Sequence, residues 1–238
     1  HLSQSLVQLK TDVSIDDLSL KTFQVQVPDV NRLSVFYQEM EFNSFLREIK
    51  IEGTFKDEKQ IINLDQISQP EIILNDELSF YHLQRIGDEG VKLWISQVNN
   101  PSVYLCSLKN KEALQELRKP FQEKKWITFG FKESMKILDP VGLRPRLYFD
   151  CEIAGLLLKP SDRIRDFEFM VAEFLGQGAI STELERLIAL ERLYAMQFKM
   201  ISEKKIEKLY FDIELPLIFI LWQMEQYGGL YLLHHLHY

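Results

Sequence analysis

The stretch KLWISQVNNPSVYLC, residues 92–106, decides the fold class of this chain. Two runs rich in β-branched and aromatic residues, 92–97 and 102–106, lie on either side of Asn99-Asn100-Pro101, which is a strong turn signal. The pattern predicts an antiparallel hairpin. Another apolar run at 72–74 is predicted to be a strand that precedes it. We therefore expect a meander of three strands.

Beyond the hairpin, helical and strand patterns alternate along the chain. A helix is predicted from about residue 111 to 118, ending before Pro120 because the residue before a proline disfavours helical geometry. Strands are predicted at 126–129 and 147–149, with a helix through Met135 and Leu138 between them. This alternation is typical of α/β layer architectures.

The predicted helices carry recognisable start signals. After Asp150 the pattern becomes helical, and Asp150 is interpreted as an N-cap. Ser181-Thr182 is predicted to open a long helix with an acidic first turn. Near the start of the chain, Asp29 or Asn31 is predicted to cap a short helix. The polar stretch 53–70 is interpreted as a linker, which places a domain boundary there.

Composition limits the classes of function. The 238 residues are 46% hydrophobic and 26% charged, which is enough for one substantial core. A net charge of −7 argues against a broad basic surface for nucleic acid, so any DNA contact is expected to be local or shared with another domain. Cys106 and Cys151 lie in apolar runs without metal or disulfide spacing, which suggests a reducing cytoplasm. The apolar run at 215–222 is shorter than the roughly 20 residues of a membrane span, so no membrane partner is expected.

Three stretches together resemble the family A DNA polymerases of bacteria. The segment LKTDV at 9–13, with YQEMEFNSFL at 37–46, is similar to the end of the family's 5′-nuclease domain. The run YFDCEIAGLLLKP at 148–160 is similar to part of its 3′-to-5′ exonuclease domain. The run IELPLIFILWQME at 213–225 resembles the segment that leads into its polymerase domain. The order and spacing of these fragments carry the resemblance.

The resemblance implies a fold and a domain division. It implies an α/β ribonuclease H-like 3′-to-5′ exonuclease fold, with a mixed sheet of about five strands flanked by helices and an N-terminal helical appendage. Residues 1–58 would be the tail of a 5′-nuclease domain and a linker, 59–205 the exonuclease-like domain, and 206–238 the start of the polymerase connection. The implied partners are DNA, through the full-length enzyme, and the adjacent 5′-nuclease and polymerase domains.

The residues at the family's metal-binding positions are degenerate. Such exonucleases hold two divalent ions with four carboxylates and use a tyrosine to orient the attacking water. The family's D-x-E on the first strand is matched to Asn75 and Glu77, and the aspartate after the fourth strand is matched to Ser134. The helical Y-x-x-x-D is matched to Leu187 and Glu191. The resemblance therefore implies a catalytically inactive domain that serves as a structural or positioning module.

Two alternatives stay open from the sequence. An active two-metal exonuclease would need a shifted carboxylate set such as Asp76, Glu77, Glu133 and Glu191, and only then would Mg²⁺ or Mn²⁺ be expected as a cofactor. The compact basic spots are weak candidates for DNA contact, and ordinary surface turns are the favoured interpretation of each: Lys124, Lys125, Arg144 and Arg146.

Overall fold

The structure is a computed structural model. It describes residues 24–25, 27–49, 59–67, 72, 74–87, 90–160 and 166–235, and of residues 43, 47 and 228–235 it describes the backbone alone. The resemblance at 9–13 lies outside the described residues.

Helices and strands alternate through most of the described chain. The helices are α1 (Val30–Glu39), α2 (Asn43–Glu48), α3 (Lys111–Glu123), α4 (Phe131–Leu138), α5 (Cys151–Leu158), α6 (Phe167–Leu175), α7 (Glu183–Glu203) and α8 (Leu215–His235). The strands are β1 (Gln60–Asn63), β2 (Leu78–Ile86), β3 (Gly90–Ser96), β4 (Ser102–Ser107), β5 (Lys125–Thr128) and β6 (Arg146–Asp150). Short 3₁₀ turns follow β1 and α4, and a π-helical segment, Leu209–Glu214, leads directly into α8.

The strands form one mixed sheet in the order β1-β4-β3-β2-β5-β6. Strands β2, β3 and β4 are an antiparallel meander, which confirms the hairpin predicted around 99–101. Strands β5 and β6 continue from β2 in parallel. Three meander strands followed by strand, helix, strand and further helices confirm the ribonuclease H-like α/β fold. The sheet has six strands rather than about five because β1 adds a parallel edge strand beside β4.

Two predictions at the amino end of this unit, one of a strand and one of a linker, differ from the structure. Ile72 and Leu74 lie outside any strand, and the first meander strand begins only at Leu78. The stretch interpreted as a linker is also partly folded, because Gln60–Asn63 pairs with Ser102–Leu105. A strand of four residues depends on its partner strand for stability, so its own sequence gives little signal of it.

The sheet separates two hydrophobic layers because alternate residues of a strand point to opposite faces. On β2, Phe80 packs with α5, α6 and α7, whereas the neighbouring Tyr81 packs with α3 and the 3₁₀ turn after α4. Trp126 lies on the same face of the sheet as Tyr81 and is fully buried, and Trp94 and Trp222 are also buried.

Helix ends follow local capping rules. Asp29 caps α1, Asp150 caps α5, and Thr182 caps α7 in a capping box with Glu185, so these start signals are confirmed. The predicted end of α3 before Pro120 was wrong, since the helix continues to Glu123. The Pro120 carbonyl accepts hydrogen bonds from the Lys124 backbone N–H and the Trp126 indole, which hold this last turn in place.

The carboxylate of Asp150 joins three elements. It is buried, and it accepts hydrogen bonds from the backbone N–H groups of Gly130 and Phe131 at the start of α4 and of Glu152 in α5. The Tyr210 hydroxyl accepts from the Asp150 N–H at 2.8 Å and donates to the Asp150 carbonyl at 3.0 Å. Asp150 therefore joins the end of β6 to the start of α4, the start of α5 and the segment that precedes α8.

Helix α8 docks on α4 along one of its faces. Ile218 and Trp222 pack with Phe131 and Met135, and Glu225 forms ion pairs with the α4 lysines Lys132 and Lys136. None of the helices in the described ranges is long and apolar enough to cross a membrane.

Replacing Tyr210 with phenylalanine tests the hydrogen bonds between the Tyr210 hydroxyl and the Asp150 backbone. The substitution keeps the ring but leaves a buried N–H and a buried carbonyl of Asp150 without their partner, so we expect a loss of about 1–3 kcal/mol in the free energy of unfolding. Urea denaturation monitored by circular dichroism measures it. Tyr227→Phe, at a residue that is 72% exposed, is the matched control and should change nothing measurable. Equal stability of the two variants would contradict the role of Tyr210.

Candidate functional site

The candidate site is a cavity of about 280 Å³ beyond the carboxyl end of β5. It lies between β2, the turn into α4, the start of α5, and helices α6 and α7. Its polar and charged lining residues are Tyr81, His82, Arg85, Thr128, Glu133, Ser134, Glu152 and Arg186. Its apolar lining includes Leu83, Phe129, Ile137, Phe167 and Leu190.

The part of β2 that lines the cavity supplies no carboxylate. It contributes Tyr81, His82, Leu83 and Arg85. Tyr81 is fully buried, and its hydroxyl has no hydrogen-bond partner within the described part of the chain. The nearby hydroxyls of Thr128 and Ser134 donate instead to the carbonyls of Tyr81 and Gly130. Burial raises the pKa of the Tyr81 hydroxyl far above its usual range, so it stays neutral.

Ion pairs join β2 and α6 to helix α7 at one side of the cavity. His82 Nε2 lies 2.8 Å from a carboxylate oxygen of Glu183, and Arg186 Nε lies 3.6 Å from the same oxygen. Arg186 also forms an ion pair with Glu168 and stacks over the Phe167 ring. The nearby imidazole of His82 lowers the pKa of Glu183, which therefore remains ionised. Both glutamates at this side of the cavity thus have a basic side chain of the protein within ion-pair distance.

Glu152 is the acid of the cavity whose pKa is raised. Burial, followed by the negative charge of Asp150, raises the pKa of Glu152 to about 7. Gly130 has the left-handed backbone conformation, with φ +76°. It lies next to the Glu152 carboxyl group, because a Cβ at position 130 would be 3.4 Å from Glu152 Oε2. Glu133, the other cavity acid, forms an ion pair with Lys136 at 2.6 Å. The cavity therefore holds one partly protonated and one compensated carboxyl group.

Of the residues matched to the family's metal positions, Ser134 alone lies in this cavity. Its Oγ donates to the Gly130 carbonyl at 3.0 Å. Asn75 and Glu77 precede β2, at the end of the sheet where parallel strand β5 begins, and Glu77 forms an ion pair with Lys125. Four β5 residues separate that end from the cavity, a distance of about 10 Å. The structure thus does not bring Asn75 and Glu77 together with Ser134.

The two α7 residues matched to family positions, Leu187 and Glu191, do not line the cavity. Leu187 is fully buried in the core of the first layer. Glu191 accepts hydrogen bonds of 2.6 Å from Lys59 Nζ and from Ser96 Oγ, and it lines a separate cleft with Asn99. The α7 side chains that line the candidate cavity are instead Arg186 and Leu190.

The shifted carboxylate set has separate partners. The Asp76 carboxylate accepts from the Asn99 N–H, Glu77 pairs with Lys125, and Glu191 pairs with Lys59. Within the described ranges, no three His, Cys, Asp or Glu side chains are grouped as a metal ion would require. The geometry brings no two-metal ligand set together from these residues.

The basic candidates for DNA contact lie mainly at the amino ends of β5 and β6. Lys125 is paired across the strands with Arg146 and lies over the Tyr148 ring. Lys124 donates to the Asp76 carbonyl. Arg144 forms an ion pair with Asp139 at 2.6 Å. Three of the four cations are therefore already engaged by the protein itself.

Sequence reasoning missed Tyr81, His82, Arg85 and Glu152 as cavity residues. The signal in LSFYHLQRI, residues 78–86, was weak, because Phe80, Tyr81 and Ile86 favour a strand but apolar and polar residues do not alternate along it. Assigning the first strand to 72–74 placed these side chains outside the predicted sheet. Glu152 was visible only as the first-turn acid of a capped helix.

Comparison with known proteins agrees at the level of the fold. No protein-family model and no curated protein sequence matches the chain. A solved structure, the POL domain of Pol1 from M. smegmatis in complex with DNA primer-template and dNTP, is similar with a TM-score of 0.53 and 14% sequence identity. The match covers 62% of this chain and 27% of that one. The fold of this chain is thus related to part of a DNA polymerase I structure.

The raised pKa of Glu152 makes a prediction about stability. A carboxyl group whose pKa is higher in the folded state than in the unfolded state favours folding below about pH 4.5, and this contribution is lost as the pH rises through about 7. Glu152→Gln removes the titration, so we expect the variant to gain stability relative to the wild type between pH 4.5 and 8. One titrating proton changes the free energy of unfolding by at most about 1.4 kcal/mol per pH unit. The gain should stay below this limit because the side chain is partly exposed to solvent.

Denaturant unfolding at several pH values measures this difference, and ¹³C NMR of the Glu152 carboxyl group reports its pKa directly. Glu116→Gln, at an exposed residue of α3, is the control. A Glu152 pKa below 5 would show that the cavity does not perturb this group.

Proposed function

We propose that this chain is the exonuclease-like region of a DNA polymerase I, that it is inactive in proofreading, and that it serves as a structural and positioning module. DNA would be reached through a longer polypeptide, with a 5′-nuclease domain on one side and a polymerase domain on the other. The sequence resemblances at 148–160 and 213–225 support this assignment, together with the likeness in fold to a polymerase I structure.

One observation carries the proposal of inactivity. The cavity that contains Ser134 has Tyr81, Leu83 and Leu190 around it, where a two-metal centre would need converging carboxylates. Its acids are Glu152, with a pKa of about 7, and Glu133, which is paired with Lys136. Divalent cations bind to several anionic oxygens at once, and this arrangement offers too few of them.

The docking of α8 supports the positioning role. This helix would carry the chain toward the polymerase domain, and it is fixed to α4 by Ile218 and Trp222 and by the Glu225 ion pairs. The segment before it is held through Tyr210, whose hydroxyl is hydrogen-bonded to the buried backbone of Asp150. A connector held at two points transmits a defined orientation between its neighbours.

A nuclease assay tests the proposal of inactivity. A single-stranded DNA labelled at its 5′ end should keep its full length when it is incubated with the protein in Mg²⁺ or Mn²⁺. Titration with Mn²⁺, followed by electron paramagnetic resonance, should show no saturable binding below millimolar concentrations. Shortening from the 3′ end that disappears in Glu77→Ala or Glu133→Ala would instead establish the alternative, an active exonuclease with a shifted carboxylate set.

The positioning role predicts that α8 is released when its buried contacts are removed. In Ile218→Ser with Trp222→Ser, we expect amide hydrogen exchange in α8 to rise at least tenfold, because the apolar contact with Phe131 and Met135 is lost. Exchange in β2 and β5 should remain slow. The control pair is Leu217→Ser with Ile220→Ser, on residues that are 40% and 50% exposed. Unchanged exchange in the first pair would remove the structural basis for a fixed connector.

A further inference from the structure

A second concave site lies at the outer side of α3. It is a cleft of about 600 Å³ between α3, the turn from β4 into α3, and the 3₁₀ turn Asp139–Val141. Three of its lining residues are cations, Lys109, Lys111 and Arg118, and none is an acid. Because α3 packs on the sheet face opposite to α7, this cleft is separate from the cavity that contains Ser134.

Helix α3 fixes the positions of Lys111 and Arg118. Asn110 caps α3 by accepting from the Ala113 N–H, so Lys111 stands at the first helical position. Arg118 follows two turns later on the same side of the helix, about 10 Å along its axis. Leu117 and Phe121, on the adjoining side of α3, anchor the helix in the core. The separation of the two cations is therefore fixed by a packed helix.

Gly142, which has no side chain, leaves space for the guanidinium group of Arg118. Gly142 has φ +77°, and a Cβ on it would lie 3.3 Å from Arg118 Nη2. A side chain at position 142 would thus press on the guanidinium group and strain the backbone as well. The guanidinium group consequently lies directly over the turn that closes the cleft.

The positive charge of the cleft is not compensated within the described part of the chain. No ion pair there joins Lys109, Lys111 or Arg118 to a carboxylate, whereas Lys59, Lys125, Arg144 and Arg186 each have an acidic partner. Asp65, which lies beside the cap of α3, already accepts from the Ser107 N–H and the Asn110 side chain. Lys109, Lys111 and Arg118 therefore present their charges to the cleft without an ion-pair partner among the described residues.

The chemistry of the lining points to the class of ligand. The cleft floor is apolar, formed by Leu108, Leu114 and Val141, and cations stand at its rim. Small-molecule sites have volumes of about 300–1,000 Å³ and combine an apolar lining with a few fixed polar groups. Three cations match a diphosphate, and the apolar floor matches a flat organic group attached to it. We propose that this cleft binds a phosphate-bearing small molecule of nucleoside diphosphate size.

Isothermal titration of the full chain with ADP tests this proposal. We expect saturable binding to one site that weakens at least tenfold in Lys111→Gln with Arg118→Gln. Both residues are exposed, so the variant should unfold at the same temperature as the wild type. The matched control is Lys119→Gln, an exposed α3 lysine outside the cleft that is paired with Glu123, and it should bind as the wild type does.

Two further probes separate the parts of the site. Inorganic pyrophosphate should bind more weakly than ADP, and Val141→Ser should weaken ADP but not pyrophosphate, because this substitution changes only the apolar floor. Absence of saturable ADP binding, or an equal loss in Lys119→Gln, would overturn the proposal. Displacement of ADP by a twelve-nucleotide single strand that binds more tightly, with a steep salt dependence, would also overturn it and assign the cleft to nucleic acid.

Discussion

The buried carboxylate of Asp150 is the interaction on which the rest of this structure depends. A carboxylate buried in protein is tolerated when hydrogen-bond donors replace its water, and here three backbone N–H groups do so. Those donors come from the turn into α4 and from α5, while Tyr210 is bonded to the Asp150 backbone. The contact therefore sets the position of the turn into α4 and the start of α5, two of the elements that border the candidate cavity, and of the segment that leads into α8.

The same carboxylate determines the electrostatics of the cavity. Burial raises the pKa of Asp150 itself, and the three N–H donors act in the opposite direction. Its charge contributes to raising the pKa of Glu152, two residues away. A divalent cation would have to bind where the Asp150 carboxylate already accepts three backbone hydrogen bonds and Glu152 is partly protonated at neutral pH. The interaction that builds the cavity thus also makes it a poor cation site.

Local rules predicted what is local in this fold. The caps at Asp29, Asp150 and Thr182 and the turn at Asn99-Asn100-Pro101 depend on a few neighbouring residues, and each was correct. Strand β1 was missed because its stability comes from pairing with β4, about forty residues away. Glu191 was matched to a metal position by helical spacing, yet Lys59, 132 residues earlier in the chain, decides its surroundings. Periodicity identifies the face of a helix, but not the partner that this face meets.

The fold around the cavity needs no bound cation. Carboxylates that converge on one site repel one another unless cations or protons neutralise them. Tyr81, Leu83, Ser134 and Leu190 bring no charge to the cavity, and of its two acids Glu133 is paired with Lys136 and Glu152 is partly protonated. The hydrogen bonds of Asp150 involve none of the residues matched to the four metal positions, Asn75, Glu77, Ser134 and Glu191. The helices and strands around the cavity are therefore held by contacts that do not depend on a metal ion.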